Sequence, residues 1–157
     1  MEKKSLRWNG WGRYEAPDVL GDHAEEIWNW LATHFGLDEL PHTPAVSLEQ
    51  AALPESKLSP AHLAALSALS GAEYVLLDDY ERAYHARGRS YHDLLHLRMG
   101  RLDTAPDAVV YPASIAEVQA LVEYASAHGL ALVPYGGGSS VVGRSEERRV
   151  GKECRSR

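Results

Sequence analysis

Cysteine is nearly absent: Cys154 is the single one in 157 residues. One thiol cannot close an internal disulfide, and structural zinc sites usually draw on several, so neither framework is expected. Long apolar runs are missing as well; none approaches the roughly 20 residues of a membrane-spanning helix. The opening segment, Met1 to Trp8, lacks the apolar stretch of a signal peptide, which predicts an intracellular, cytoplasmic protein. Positive charge is short too, with 16 Lys+Arg against 22 Asp+Glu and a net charge of −6. Nucleic-acid binders need basic stripes to neutralise phosphates, so nucleic acid is not expected as a partner. The composition predicts one ordinary globular domain, or part of a larger one.

The last fourteen residues, Arg144 to Arg157, read RSEERRVGKECRSR and stand apart from the rest. The string matches, codon by codon, the translation of a sequencing adaptor that begins AGATCGGAAGAGC. It is expected to be foreign sequence with no fixed structure and no role. Residues 1–143 then hold 10 Lys+Arg and 19 Asp+Glu, a net charge of −9, and no cysteine. On this reading the natural protein continues past Gly143, and the chain is an amino-terminal fragment.

Trp8, Asn9, Gly10, Trp11 and Gly12 predict a tight aromatic turn that anchors the terminal segment on a core. Asp22 is positioned to cap a helix whose apolar residues, Ala24, Ile27, Trp28, Leu31 and Phe35, follow the 3.6-residue period until Gly36. A proline-bearing connector with one helical turn near Ser47–Leu53 follows. Ser59-Pro60 starts a second helix with Leu63, Leu66 and Leu69 on one face and Gly71 at its end. Further helices are predicted from about Asp79 and over Ser90–Leu97, with Asp78, Asp79 and Glu81 as a solvated acidic face.

The pattern then changes. Ala108 to Tyr111 reads as a buried strand, and Ser114 with Glu117 forms a capping box. The helix it opens has Ile115, Val118, Leu121, Val122 and Ala125 on its inner face and ends at Gly129. Leu130 to Val133 reads as a second buried strand. Strand, helix and strand in about thirty residues make a βαβ unit with parallel strands. The expected class is α/β (α+β): a mainly helical region over 1–104, an α/β segment over 105–143, and the foreign tail over 144–157.

The loop Tyr135-Gly-Gly-Gly-Ser-Ser140 follows that second strand, where open α/β sheets place ligands. Consecutive glycines let backbone N–H groups approach an anion unobstructed, and Ser139 and Ser140 add hydroxyl donors. An acidic protein can therefore hold a diphosphate on backbone dipoles; an ordinary flexible turn is the alternative. The dinucleotide pattern GxGxxG fails because Val141 stands where the third glycine belongs. A P-loop resemblance at Gly138–Ser145 arises only at the junction with the tail. His92-Asp-Leu-Leu-His96 is similar to the zinc-protease HExxH, but carries Asp for Glu and has no evident third ligand, so no metal is expected.

Pro106-Asp-Ala-Val-Val-Tyr-Pro112, the capped helix with Glu117-Val118, and Val133-Pro-Tyr-Gly-Gly-Gly-Ser-Ser140 together resemble the start of a PCMH-type flavin-binding domain. The family is the FAD-linked oxidases of the vanillyl-alcohol-oxidase and p-cresol-methylhydroxylase type. Trp8–Gly12 and Arg87-Gly-Arg-Ser-Tyr-His-Asp-Leu, leading to Pro106-Asp107, narrow the resemblance to its alkylglycerone-phosphate-synthase-like branch. It implies FAD as cofactor, with Pro134, Tyr135, Gly136, Gly137, Gly138, Ser139 and Ser140 around the pyrophosphate, and catalytic residues further downstream. It also implies a small-molecule substrate for the longer protein and allows a homodimer. That branch replaces an acyl by an alkyl chain on dihydroxyacetone phosphate, while other members oxidise 2-hydroxy acids such as glycolate or D-lactate. A non-catalytic helical interaction module is the alternative of another class. The chain by itself is expected to be inactive.

Overall fold

The computed structural model describes residues 5–17, 19–41 and 43–142. The predicted tail lies outside these residues. Among the described residues, five α-helices, three single turns of 3₁₀ helix and one two-stranded ladder make up the regular structure, the α-helices and strands being α1 (Ala24–His34), α2 (Pro60–Ser70), β1 (Val75–Leu76), α3 (Asp79–Tyr84), α4 (Tyr91–Arg98), β2 (Val109–Val110) and α5 (Ile115–His128). The class is mixed α/β, as expected.

Helix starts follow their capping residues. The Ser59 hydroxyl accepts the His62 N–H at 3.2 Å with Pro60 in the first turn, and the Ser90 hydroxyl accepts the Asp93 N–H at 3.2 Å. Ser114 accepts the Glu117 N–H at 3.2 Å, and Glu117 Oε2 accepts in return from Ala113, one residue before the cap. Each such bond satisfies an amide that the helix itself leaves open. Gly129 ends α5 at a left-handed φ of 66°. Asp22 corrects its expected role. It lies in a single turn of 3₁₀ helix, Gly21–His23, and His23 precedes α1 with no side-chain cap.

Two apolar clusters form the interior. Trp8, Ala83, Leu97 and Leu102 are buried together, with Leu48, Leu53, Tyr80 and Tyr84 packed around them. Trp8 is thus the anchor of the amino-terminal turn, whereas Trp11 is 51 % exposed. The second cluster joins Leu66 of α2, Val75 of β1 and Leu121 of α5. Arg82, itself buried, links the surrounding loops: Nε donates to the Pro106 carbonyl at 2.8 Å and Nη2 to the Pro54 carbonyl at 2.6 Å.

The sheet departs from the predicted βαβ unit. β2 pairs antiparallel with β1, in register Val75↔Val110 and Leu76↔Val109. Leu130–Val133 forms no ladder among the described residues, and Leu132 and Val133 are exposed. A parallel strand needs a neighbour on which to pair, and no described segment pairs with it. The same openness appears on α5: Leu121 is buried with Leu66 and Val75, and Ala125 is buried, but Ile115 is 88 % exposed and Val118 and Val122 are also exposed. On α1 only Ala32 is buried, while Trp28, Trp30 and Phe35 face solvent. Periodicity correctly marked these faces as apolar; burial requires a partner that the described residues do not supply.

Candidate functional site

The loop 134–140 forms one side of an open cleft of about 290 Å³, and His85, Ala86, Arg87 and Gly88 form the other. The loop is pinned from across the cleft at both ends, by a side chain at one and by its main chain at the other. Tyr135 Oη donates to the Tyr84 carbonyl at 3.2 Å, and the Arg89 N–H donates to the Ser140 carbonyl at 2.9 Å. The Tyr135 ring also packs edge-on against His85, with centroids 4.4 Å apart.

Between the pins the glycines differ. Gly138 has φ +65°, and a Cβ there would run into the Tyr135 hydroxyl, so the turn itself demands glycine. Gly136 and Gly137 would present a Cβ to open space. Their lack of side chains is therefore not required by packing, and it leaves a backbone approach for a ligand. Pro134, Ser139 and Ser140 are exposed, and Tyr135 and Gly138 are half-buried. All seven predicted positions thus belong to one accessible loop.

The opposing wall is charged and largely buried. Arg87 Nη1 lies 3.8 Å from Asp93 Oδ1 and Nη2 lies 3.5 Å from Asp103 Oδ2, while its Nε has no acceptor. Asp93 is fixed by Ser90, whose hydroxyl donates to Oδ2 at 2.8 Å. Arg89 lies with its guanidinium 5.0 Å from the Tyr84 ring centroid; Nη1 donates to the carbonyls of Arg87 and Gly88 at 3.3 and 3.1 Å, and Nη2 has no acceptor. Gly88 keeps wall and loop close, since a Cβ there would lie 3.2 Å from the Ser140 carbonyl oxygen.

Behind His85 is a polar cluster that residue patterning did not reveal. Glu81, expected on a solvated face, is buried. It accepts from Tyr111 Oη at 2.6 Å, and its Oε2 lies 3.5 Å from His85 Nδ1. His85 Nδ1 is also 2.8 Å from the Glu81 carbonyl, an oxygen that can only accept, so this nitrogen carries a proton. Asp78 caps α3 and is exposed, as is Asp79, so of the three acidic residues only Glu81 leaves the expected solvated face. The signal that could have found Glu81 was its i,i+4 spacing to His85 on one helix.

Burial raises the Tyr111 phenol above its ordinary value, and the hydrogen bond to Glu81 adds to the effect. Burial likewise raises Tyr135, with the Arg89 charge pulling the other way, and pushes Tyr80 up to about 12. These groups favour the fold while neutral. Their contribution is complete below the unfolded phenol value near 10 and is lost as pH rises through the folded values. An alkaline titration should therefore show a tyrosinate absorbance step at 295 nm that coincides with loss of helical circular dichroism. Complete ionisation of all eight tyrosines before any loss of helix would contradict this.

The remaining candidates separate. His92 is exposed and His96 half-buried, while the Asp93 between them is buried toward Arg87. Among the described residues no group of three His, Cys, Asp or Glu is placed to hold a metal. Trp8 lines a second cleft, of about 520 Å³, with Asn9, Val46 and Tyr80, whereas Trp11 does not. No helix among the described residues is long and apolar enough to cross a membrane.

The chain is similar to known proteins. Residues 106–151 match the family model of an FAD binding domain. Alkyldihydroxyacetonephosphate synthase of Dictyostelium discoideum is 36 % identical over 165 residues, covering 91 % of this chain and 27 % of the relative. Protein Rv2250A of Mycobacterium tuberculosis is 34 % identical over 107 residues, covering 68 % of this chain and 69 % of the relative. A solved structure of an alkyldihydroxyacetonephosphate synthase superposes with a TM-score of 0.75 at 28 % identity, over 89 % of this chain and 28 % of that one. The chain spans about a quarter of the length of the synthases it matches.

Proposed function

Because the chain belongs to the FAD-linked oxidases, in their alkylglycerone-phosphate-synthase-like group, we propose that residues 105–143 open the FAD-binding domain of a cytoplasmic flavoenzyme. Its loop, Pro134 to Ser140, takes the FAD pyrophosphate. The observation that carries this reading is the pinned loop with two glycines open to a cleft. Backbone N–H groups of Gly136, Gly137 and Gly138 would donate to the phosphate oxygens, and the hydroxyls of Ser139 and Ser140 would add to them. Tyr135 and Arg89 hold that geometry before any ligand arrives, so little ordering is left to oppose binding. When bound, the flavin supplies the redox and covalent chemistry, and the protein supplies its position. By likeness to the synthases, the longer protein exchanges an acyl for an alkyl chain on dihydroxyacetone phosphate, a small-molecule substrate.

The cleft is one wall of a flavin site, and the isoalloxazine and adenine rings need enclosing surface as well. Residues 1–143 alone are thus expected neither to turn over substrate nor to hold FAD tightly. The exposed Leu132, Val133, Val118 and Val122 should also make them prone to aggregate. An FAD titration followed by flavin fluorescence and visible absorbance checks this; stoichiometric binding with a perturbed spectrum would overturn it. Genomic sequence downstream of Gly143 tests the reading as a whole. A continuing frame with a further flavin-contacting region and a substrate domain is expected, and an early stop codon would favour an interaction module instead.

A further inference from the structure

Arg89 is a buried cation without a carboxylate. It is 4 % exposed, yet no described Asp or Glu forms an ion pair with it, in contrast to Arg82 and Arg87. Two backbone carbonyls and the face of Tyr84 receive part of its charge, and Nη2 is left without an acceptor. Burying a charge in this way is costly unless something compensates it. Its guanidinium bonds the carbonyls of Arg87 and Gly88, which line the cleft, and its main-chain N–H holds the Ser140 carbonyl at 2.9 Å, so the charge lies behind the wall that faces the glycine loop. Low-dielectric surroundings screen it little.

We propose that Arg89 is the built-in countercharge of the loop, a positioning residue whose field prepares the loop amides for a diphosphate. The charge that balances the guanidinium is then the ligand's, acting through the wall and not by contact. This rests on the reading that the loop takes the FAD pyrophosphate. It also explains how a chain of net charge −6 can attract an anion without an exposed basic patch.

The decisive measurement uses the ¹⁵N-labelled chain, titrated with FAD and, separately, with riboflavin, which has no phosphates. The amide shifts of Gly136, Gly137 and Gly138 report binding, and the ligand-free melting temperature is recorded for each variant. For Arg89→Met, FAD binding should weaken about tenfold, as expected for loss of one unscreened charge. Its ligand-free melting temperature should hold or rise, because an uncompensated charge has been removed. Arg89→Lys should keep most of the FAD affinity, and riboflavin should not distinguish the variants. Undiminished FAD binding by Arg89→Met would overturn the proposal. So would a joint loss of binding and stability that Arg89→Lys fails to rescue, which would make the role structural. Absence of loop shifts in the unsubstituted chain even at millimolar FAD, where the weak binding expected of the chain alone is still visible, would overturn the pyrophosphate reading and this inference with it.

Discussion

Gly137→Val is expected to strip most of the flavin from the complete natural protein while leaving its melting temperature unchanged. The structure separates these two effects. Gly137 does not have a positive φ, and a Cβ built on it meets nothing within 4 Å, so valine fits the ligand-free loop without strain. The branched side chain would then occupy the space through which the pyrophosphate approaches the backbone N–H groups. A loss of tenfold or more in FAD affinity, on the order of 1.4 kcal/mol, should follow. Gly138→Ala should behave differently, because it forces a side chain onto a left-handed residue and against the Tyr135 hydroxyl. It should lower flavin content by disturbing the loop itself. The ratio of flavin to protein absorbance after purification, read beside thermal melts, distinguishes the two. Unchanged flavin content in Gly137→Val would remove the loop from the site.

Trp8→Ala should be the most damaging single substitution to the fold. Trp8 is 2 % exposed and packs with Ala83, Leu97 and Leu102, all three within 1 % of complete burial. Truncating a buried indole costs about 3–5 kcal/mol, a large share of what a domain of this size has in reserve. Trp11→Ala, three residues away but half exposed, should stay within about 0.5 kcal/mol. Urea denaturation followed by circular dichroism measures both. Equal midpoints for the two variants would show that the amino-terminal turn does not depend on Trp8.

What could be read from the residues was mostly local. Ser59, Ser90 and Ser114 each accept the amide three positions on, as their helix-start patterns predict, and Gly71, Gly100 and Gly129 end their helices with positive φ. The glycine loop was legible for the same reason: its conformational demands belong to its own residues. Non-local relations were not legible. Nothing in the run Ala108–Tyr111 says that its partner is Val75–Leu76, more than thirty residues upstream and antiparallel. Glu81 reads as one acid among several until Tyr111 and His85 meet it. Arg87 and Arg89 stood out only through family resemblance, because a buried arginine has no periodic signature and its significance lies in what it faces.

The cleft also has an order in time. Its receiving wall, His85 to Gly88, adjoins a core made by Trp8, Ala83, Leu97 and Leu102, and all of these precede the glycine loop in the chain. A ribosome delivers residues amino end first. The wall can therefore be folded while Tyr135, which bonds Tyr84 across a separation of 51 positions, has yet to emerge. The loop then docks onto a finished surface instead of searching together with it, and cofactor capture becomes a late event in the life of the nascent chain.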